Sequence, residues 1–121
     1  MRDGIAIAGT ITVDEIKMVE SYPEESELTT IKSIQRSIGG IVSNCSIGLA
    51  KIDEKLPIEI IALIGDDEKG EYIKKRLNEY ENIDTTQLKV IGSTPFTDVM
   101  QNEKNHTRTF FTYKGNSALF D

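Results

Sequence analysis

The chain has 121 residues, a length that suits one domain built on one hydrophobic core, and its 38% hydrophobic and 28% charged residues exclude collagen-like, low-complexity and disordered chains. Fourteen Lys and Arg against twenty Asp and Glu leave a formal charge of −6, the wrong sign for a phosphate backbone, so nucleic acid is not an expected partner. The longest apolar run, residues 60–64, falls far short of the roughly 20 residues a membrane-spanning helix needs, the N-terminus lacks a signal-peptide pattern, and the single cysteine, Cys45, permits no intrachain disulfide. A cytoplasmic protein that does not engage a membrane is expected.

Residues 4–11 alternate Ile5 and Ile7 with Ala6 and Ala8 before Gly9, the pattern of a first core strand that ends where the backbone must turn. Thr12 and Asp14 are the first polar residues beyond it. Residues 18–27 are acidic and carry Tyr22-Pro23, which predicts a solvent-exposed loop, and residues 28–38, rich in Thr and Ile, read as a strand. After Gly39-Gly40, the spacing of Ile41, Cys45, Leu49 and Ile52 predicts a helix with those residues on its buried stripe, Cys45 included. Ser43, Ser46, Gly48 and Ala50 are small enough to let that helix lie close to a sheet.

Residues 58–64 form a β-branched run of the kind found in parallel strands buried on both faces. Gly65-Asp66-Asp67 ends it and supplies an N-cap for a helix over residues 68–80, with Ile73, Leu77 and Tyr80 inward; capping rather than metal binding is the expected role of the aspartates. Residues 82–86 connect to a short strand at Leu88, Val90 and Ile91, and Gly92-Ser93-Thr94-Pro95 is a turn. Residues 96–100 and 107–113 then read as a hairpin around Asn102-Glu103-Lys104-Asn105, with His106 at the tip and Phe110 and Phe111 on opposite faces.

Strands alternating with helices predict a parallel α/β sheet, with the hairpin and residues 28–38 as antiparallel additions of the kind that form a lid. Ligands of such sheets bind beyond the carboxyl ends of the strands, where Thr12, Asp14, residues 39–44 and Asp66 should gather. Gly39-Gly40 lets backbone approach a ligand, and Asn44 one turn on offers both a donor and an acceptor, the mixture a polyol needs; an amide capping its own helix is the alternative. Asp14 is suited to accept hydrogen bonds from two adjacent hydroxyls, or is a solvated loop acid.

From Ile5-Ala6-Ile7-Ala8-Gly9-Thr10-Ile11-Thr12-Val13-Asp14 onward, the sequence resembles the ribokinase-like, or phosphofructokinase-B (PfkB), carbohydrate kinases. Gly39-Gly40-Ile41-Val42-Ser43-Asn44 is similar to the family's first signature, residues 64–70 to its "GxDxxG" stretch, Asn82-Ile83-Asp84-Thr85 to its "GVDT" turn with Asn82 in the glycine's place, and residues 97–113 to its returning lid strands. Ile41 and Val42 stand where ribokinases carry Lys and Gly, and Gly115-Asn116-Ser117 where the family has "GAN".

The resemblance implies a three-layer α/β sandwich, here partial, with a small β-sheet lid. Residues 12–38 and 94–113 would supply the lid, and residues 3–11, 39–92 and 114–121 the α/β core. It implies transfer of a phosphoryl group from ATP, with Mg2+, to a hydroxyl of a sugar, the sugar being held by Thr12, Asp14, Gly39, Gly40 and Asn44. It further implies a homodimer formed through the lid. The family's general base and nucleotide pocket belong to a later segment, so no catalytic residue and no metal ligand is assigned here, and turnover by these 121 residues alone is not expected. A nucleoside kinase of the same fold, or a non-catalytic binding or dimerisation fragment, are the alternatives.

Overall fold

The computed structural model describes residues 4–120; Asp3 and Asp121, the expected outer limits of the core segments, lie outside them. Strands β1 (Ile5–Gly9), β4 (Ile58–Ile64), β5 (Ile83–Asp84) and β6 (Leu88–Val90) form an all-parallel sheet in which β4 pairs with each of the other three. The second sheet is mixed, in the order β3-β2-β7-β8: β2 (Thr12–Val19) is antiparallel to β3 (Ile31–Gly39), β7 (Phe96–Asn102) is antiparallel to β8 (Thr107–Tyr113), and β2 runs parallel to β7. Two helices, α1 (Ile41–Ile52) and α2 (Glu68–Leu77), and a short 3-10 helix, Gly115–Phe120, complete the structure.

The core forms where the parallel sheet meets the helices. Ile58, Ile60, Ala62 and Ile64 of β4 pack with Val42 and Ala50 of α1 and with Ile73 and Leu77 of α2, and Ile11, Val13 and Ile38 extend the cluster towards the mixed sheet. Each such aliphatic side chain contributes about 1.5–3 kcal/mol on full burial, so the core also fixes the base of the mixed sheet. Helix α2 is set by local chemistry as well: the Asp67 carboxylate accepts the Gly70 amide at 2.8 Å as an N-cap, Glu68 and Glu71 lie in the first turn, and Lys74, Lys75 and Arg76 in the last, each favourable to the helix dipole.

Three sequence expectations are corrected. Residues 12–19 form a full strand, whereas the expected loop covered residues 18–27; the strand is paired along both edges, and ladder bonds outweigh its Glu15 and Lys17. Helix α1 buries Val42, Ser43, Ser46 and Ala50 instead of the larger stripe, leaving Ile41 65% and Ile52 83% exposed and Cys45 at the surface, while Leu49 alone of the four packs partly against the core. The small face wins because it lets the helix axis approach the sheet, and Ser43 makes the approach favourable by donating its hydroxyl to the Gly39 carbonyl at 2.6 Å. Strand β4 is buried on one face only: Ile61, pointing the other way, is 44% exposed. The strand expected over residues 28–38, the hairpin and the N-cap at Asp67 are all present.

The chain passes between the two sheets three times and then leaves β8 for the short 3-10 helix, and the four positive-φ glycines among the described residues, Gly9, Gly40, Gly92 and Gly115, stand one at each of these four transitions. At Gly40 (φ 90) a Cβ would lie 2.6 Å from the Thr10 carbonyl oxygen, and at Gly115 (φ 50) it would lie 2.5 Å from that of Ser93. Each close crossing therefore requires the absence of a side chain.

Candidate substrate site

One corner, where β2 leaves the core and β3 returns to it, brings together Thr12, Asp14, Gly39 and Gly40. Thr12 pairs with Gly39 across the β2–β3 ladder and Asp14 with Ser37. The Asp14 carboxylate leans over Gly39, so a Cβ there would fall 2.7 Å from Asp14 Oδ2. Asp14 is half-buried, and among the described residues no hydrogen bond or ion pair satisfies its carboxylate; burial raises its pKa above the ordinary value. A desolvated carboxylate without a protein donor is an acceptor prepared for a ligand's donors.

Thr12 is differently placed. Its hydroxyl donates to the Pro95 carbonyl at 3.0 Å, and the Val13 amide donates to the same oxygen at 3.1 Å, so the Thr12 proton is spent on joining β2 to β7 and only its lone pairs face elsewhere. Asn44 stands one turn into α1, its amide bonded to the Gly40 carbonyl at 3.1 Å, and its exposed carboxamide caps nothing: the helix has no side-chain cap. The capping alternative for Asn44 therefore does not hold. Asp66 lies at the end of β4, where its amide bonds to Gly92, and is not part of this corner's hydrogen bonding.

Register places further residues on the Asp14 face that the linear sequence did not single out. Ser37, Asp14, Thr97 and Thr112 form one row across all four strands, with a Thr97–Thr112 hydroxyl contact of 2.9 Å. The next row on the same face holds Gln35, Ile16, Val99 and Phe110. Phe110, 63% exposed, thus shares the face of Asp14, while Phe111 points to the other side with Glu15 and Asp98. Strict alternation along β7 and β8 could have revealed the hydroxyl row, but only once β2 was recognised as their neighbour.

Beside the corner a second polar knot joins both sheets. Asp67 Oδ2 accepts the Thr94 amide and Asp67 Oδ1 the Thr94 hydroxyl, at 2.8 and 2.6 Å, while the Gly65 amide donates to Thr94 Oγ1 at 2.8 Å. Burial alone would raise the Asp67 pKa, but the Thr94 hydroxyl and the Thr94 and Gly70 amides hold it below its ordinary value. A 240 Å³ cavity lies against this knot, lined in part by Lys69, Phe96 and Tyr113. Among the described residues no group of three or more His, Cys, Asp or Glu side chains forms a metal site, and no helix is long and apolar enough to cross a membrane.

Comparison with known proteins agrees with this architecture. Residues 3–121 match the pfkB family carbohydrate kinases, and the chain belongs to that family. It is 28% identical over 117 residues to the Pyrococcus horikoshii protein named "Putative sugar kinase", covering 96% of this chain and 32% of that one. Among solved structures it superposes on the nucleoside kinase of Methanocaldococcus jannaschii, an archaeal member of the ribokinase family, with a TM-score of 0.83 at 22% identity over 98% of this chain and 39% of the other. It superposes on Arabidopsis thaliana ribokinase, solved with ribose and ATP, with a TM-score of 0.84 at 20% identity over 95% and 37%. The fold is thus that of the ribokinase family, and the chain spans about a third of the length of these relatives.

Proposed function

We propose that this chain is the substrate-binding and lid portion of an ATP-dependent sugar kinase, with the mixed sheet as the lid. The observation that carries the reading is the Asp14 carboxylate, half-buried, unpaired among the described residues and set against a glycine whose missing side chain leaves room for it. In this role Asp14 accepts hydrogen bonds from two neighbouring hydroxyls of the sugar. Gly39 and Gly40 let backbone groups approach the ring, Asn44 gives and takes one hydrogen bond each, and Thr12 accepts one. The mixed sheet covers the sugar and lowers the local dielectric, which strengthens each of these contacts.

ATP supplies the phosphoryl group that is transferred, and magnesium would balance its charge. Neither group is assigned to a residue of this chain. A protein that carries this chain together with the remaining length of its relatives should release ADP in the presence of one sugar from a panel of pentoses and hexoses, and Asp14→Ala should abolish that release. ADP release unaffected by Asp14→Ala would defeat the reading. The 121 residues alone are expected to bind sugar and not to turn over.

A nucleoside substrate is supported by one particular observation: Ile16, Val99 and Phe110 form an apolar row immediately beyond Asp14 on its own face. A ribose held by Asp14 would bring an attached base against that row. Nucleosides therefore belong in the same panel. Ile34 and Phe111, both about two-thirds exposed on the opposite face, support a homodimer formed through the mixed sheet, and a cytoplasmic location is in keeping with such a kinase.

A further inference from the structure

The rear of the mixed sheet, opposite Asp14, is gripped by the first two turns of α2. Arg36 of β3 donates through Nη1 to Glu68 Oε1 at 2.5 Å and through Nη2 to Glu15 Oε1 at 2.8 Å, and its guanidinium lies 5.0 Å from the centre of the Tyr72 ring. The Tyr72 hydroxyl, held also by Arg76, donates to the Arg36 carbonyl at 3.1 Å. Lys69 of α2 sits 3.8 Å from Glu15 Oε1 and 4.5 Å over the Phe96 ring of β7. Lys17 closes the group from within the sheet, 3.1 Å from Asp98 and 3.8 Å from Glu15.

Single ion pairs at a surface are weak, but here one guanidinium bridges carboxylates from two different structural units and is stacked in place. Glu15 is the residue after Asp14 in β2, so what grips Glu15 from behind also holds the backbone that carries Asp14 in front. The sheet is otherwise joined to the core at its base, through the glycine-bearing transitions, the packing of Val13 and Ile38, and the Asp67–Thr94 hydrogen bonds.

We propose that the start of α2 is an electrostatic latch on the rear of the mixed sheet, in which Glu68 and Lys69 of the core grip Arg36 and Glu15 and set the angle of the sheet. Arg36 is thereby a positioning residue for Asp14. The consequence for a ligand rests on the functional reading above, but the latch itself does not. Glu68 is the practical handle, since its side chain is 71% exposed and its replacement does not threaten the core.

The test is a pulsed electron-spin distance measurement in the 121-residue chain, between labels on Cys45 of α1 and on a cysteine introduced at the hairpin by Lys104→Cys. The unsubstituted latch should give a narrow distribution at low salt. Both about 1 M NaCl, which shortens screening to about 3 Å, and the Glu68→Arg variant should broaden and displace it. Glu71→Arg, which removes a first-turn acid whose side chain makes no hydrogen bond or ion pair with the sheet among the described residues, should leave it narrow. A distribution indifferent to salt and to Glu68→Arg overturns the latch. So does equal broadening by Glu71→Arg, which would trace the effect to the helix terminus. Because no sugar is present, failure of the sugar-binding reading would leave these outcomes unchanged.

Discussion

The carboxylate of Asp14 occupies the space that a side chain on Gly39 would need: a Cβ at position 39 would meet Asp14 Oδ2 at 2.7 Å and Thr12 Cγ2 at 3.3 Å. Gly39 is absent from the positive-φ residues, so alanine is tolerated by the backbone and its effect falls on the carboxylate. Gly39→Ala is expected to fold with a stability change below about 1 kcal/mol, yet to swing Asp14 aside and weaken sugar binding at least about tenfold, near 1.4 kcal/mol. Thermal denaturation beside calorimetric titration would check both halves of this expectation.

Asp14 itself should cost stability. Its pKa is raised by burial, so ionisation disfavours the folded chain. Above the folded-state pKa the penalty is complete, and below the unfolded value, about pH 4, both states are protonated and it vanishes. Asp14→Asn is therefore expected to stabilise the chain by about 0.5 kcal/mol at pH 7. Melting curves should show this gain shrinking as the pH falls through the raised folded-state pKa towards about 4 and absent below it; a constant gain would point to another cause.

The knot around Thr94 makes the opposite prediction. Thr94 is 1% exposed, and Thr94→Val would strand the Gly65 amide and deprive Asp67 of its hydroxyl donor. A loss of about 1–2 kcal/mol follows, measurable by urea unfolding. Because the Asp67 pKa is lowered, its contribution is present above the unfolded carboxyl value and is lost as the pH falls through the folded one. The cost of Thr94→Val should thus shrink in acid.

Two glycines of the same helix, one at its N-cap and one inside it, should respond with opposite signs. Gly40→Ala forces φ near 90 on an L-residue and drives Cβ to 2.6 Å from the Thr10 carbonyl oxygen, and should destabilise by more than about 1 kcal/mol. At Gly48, within α1, a Cβ meets nothing within 4 Å, so Gly48→Ala should stabilise by about 0.5–1 kcal/mol.

Much of this arrangement was legible in the residue order. The apolar run of β4, the N-cap at Asp67 and the hairpin around residues 102–105 are local patterns, and local patterns survive folding. What escaped depends on partners distant in sequence. Strand β2 is strand because β3 and β7 pair with both of its edges, despite its charges. Helix α1 turns its serines inward because closeness to the sheet favours small side chains over larger ones. Asp14 and Gly39 were both singled out, but their contact is a product of register, as is the division of Phe110 and Phe111 between two faces.

The most direct test of the central claim is titration of the chain with a panel of pentoses, hexoses and nucleosides, observed by ligand NMR, in the native form and in Asp14→Ala and Asn44→Ala. The account predicts that at least one of these polyols binds the native chain and that both substitutions weaken it at least about tenfold, without unfolding the protein. Binding that survives the loss of Asp14, or no binding across the whole panel, would contradict it.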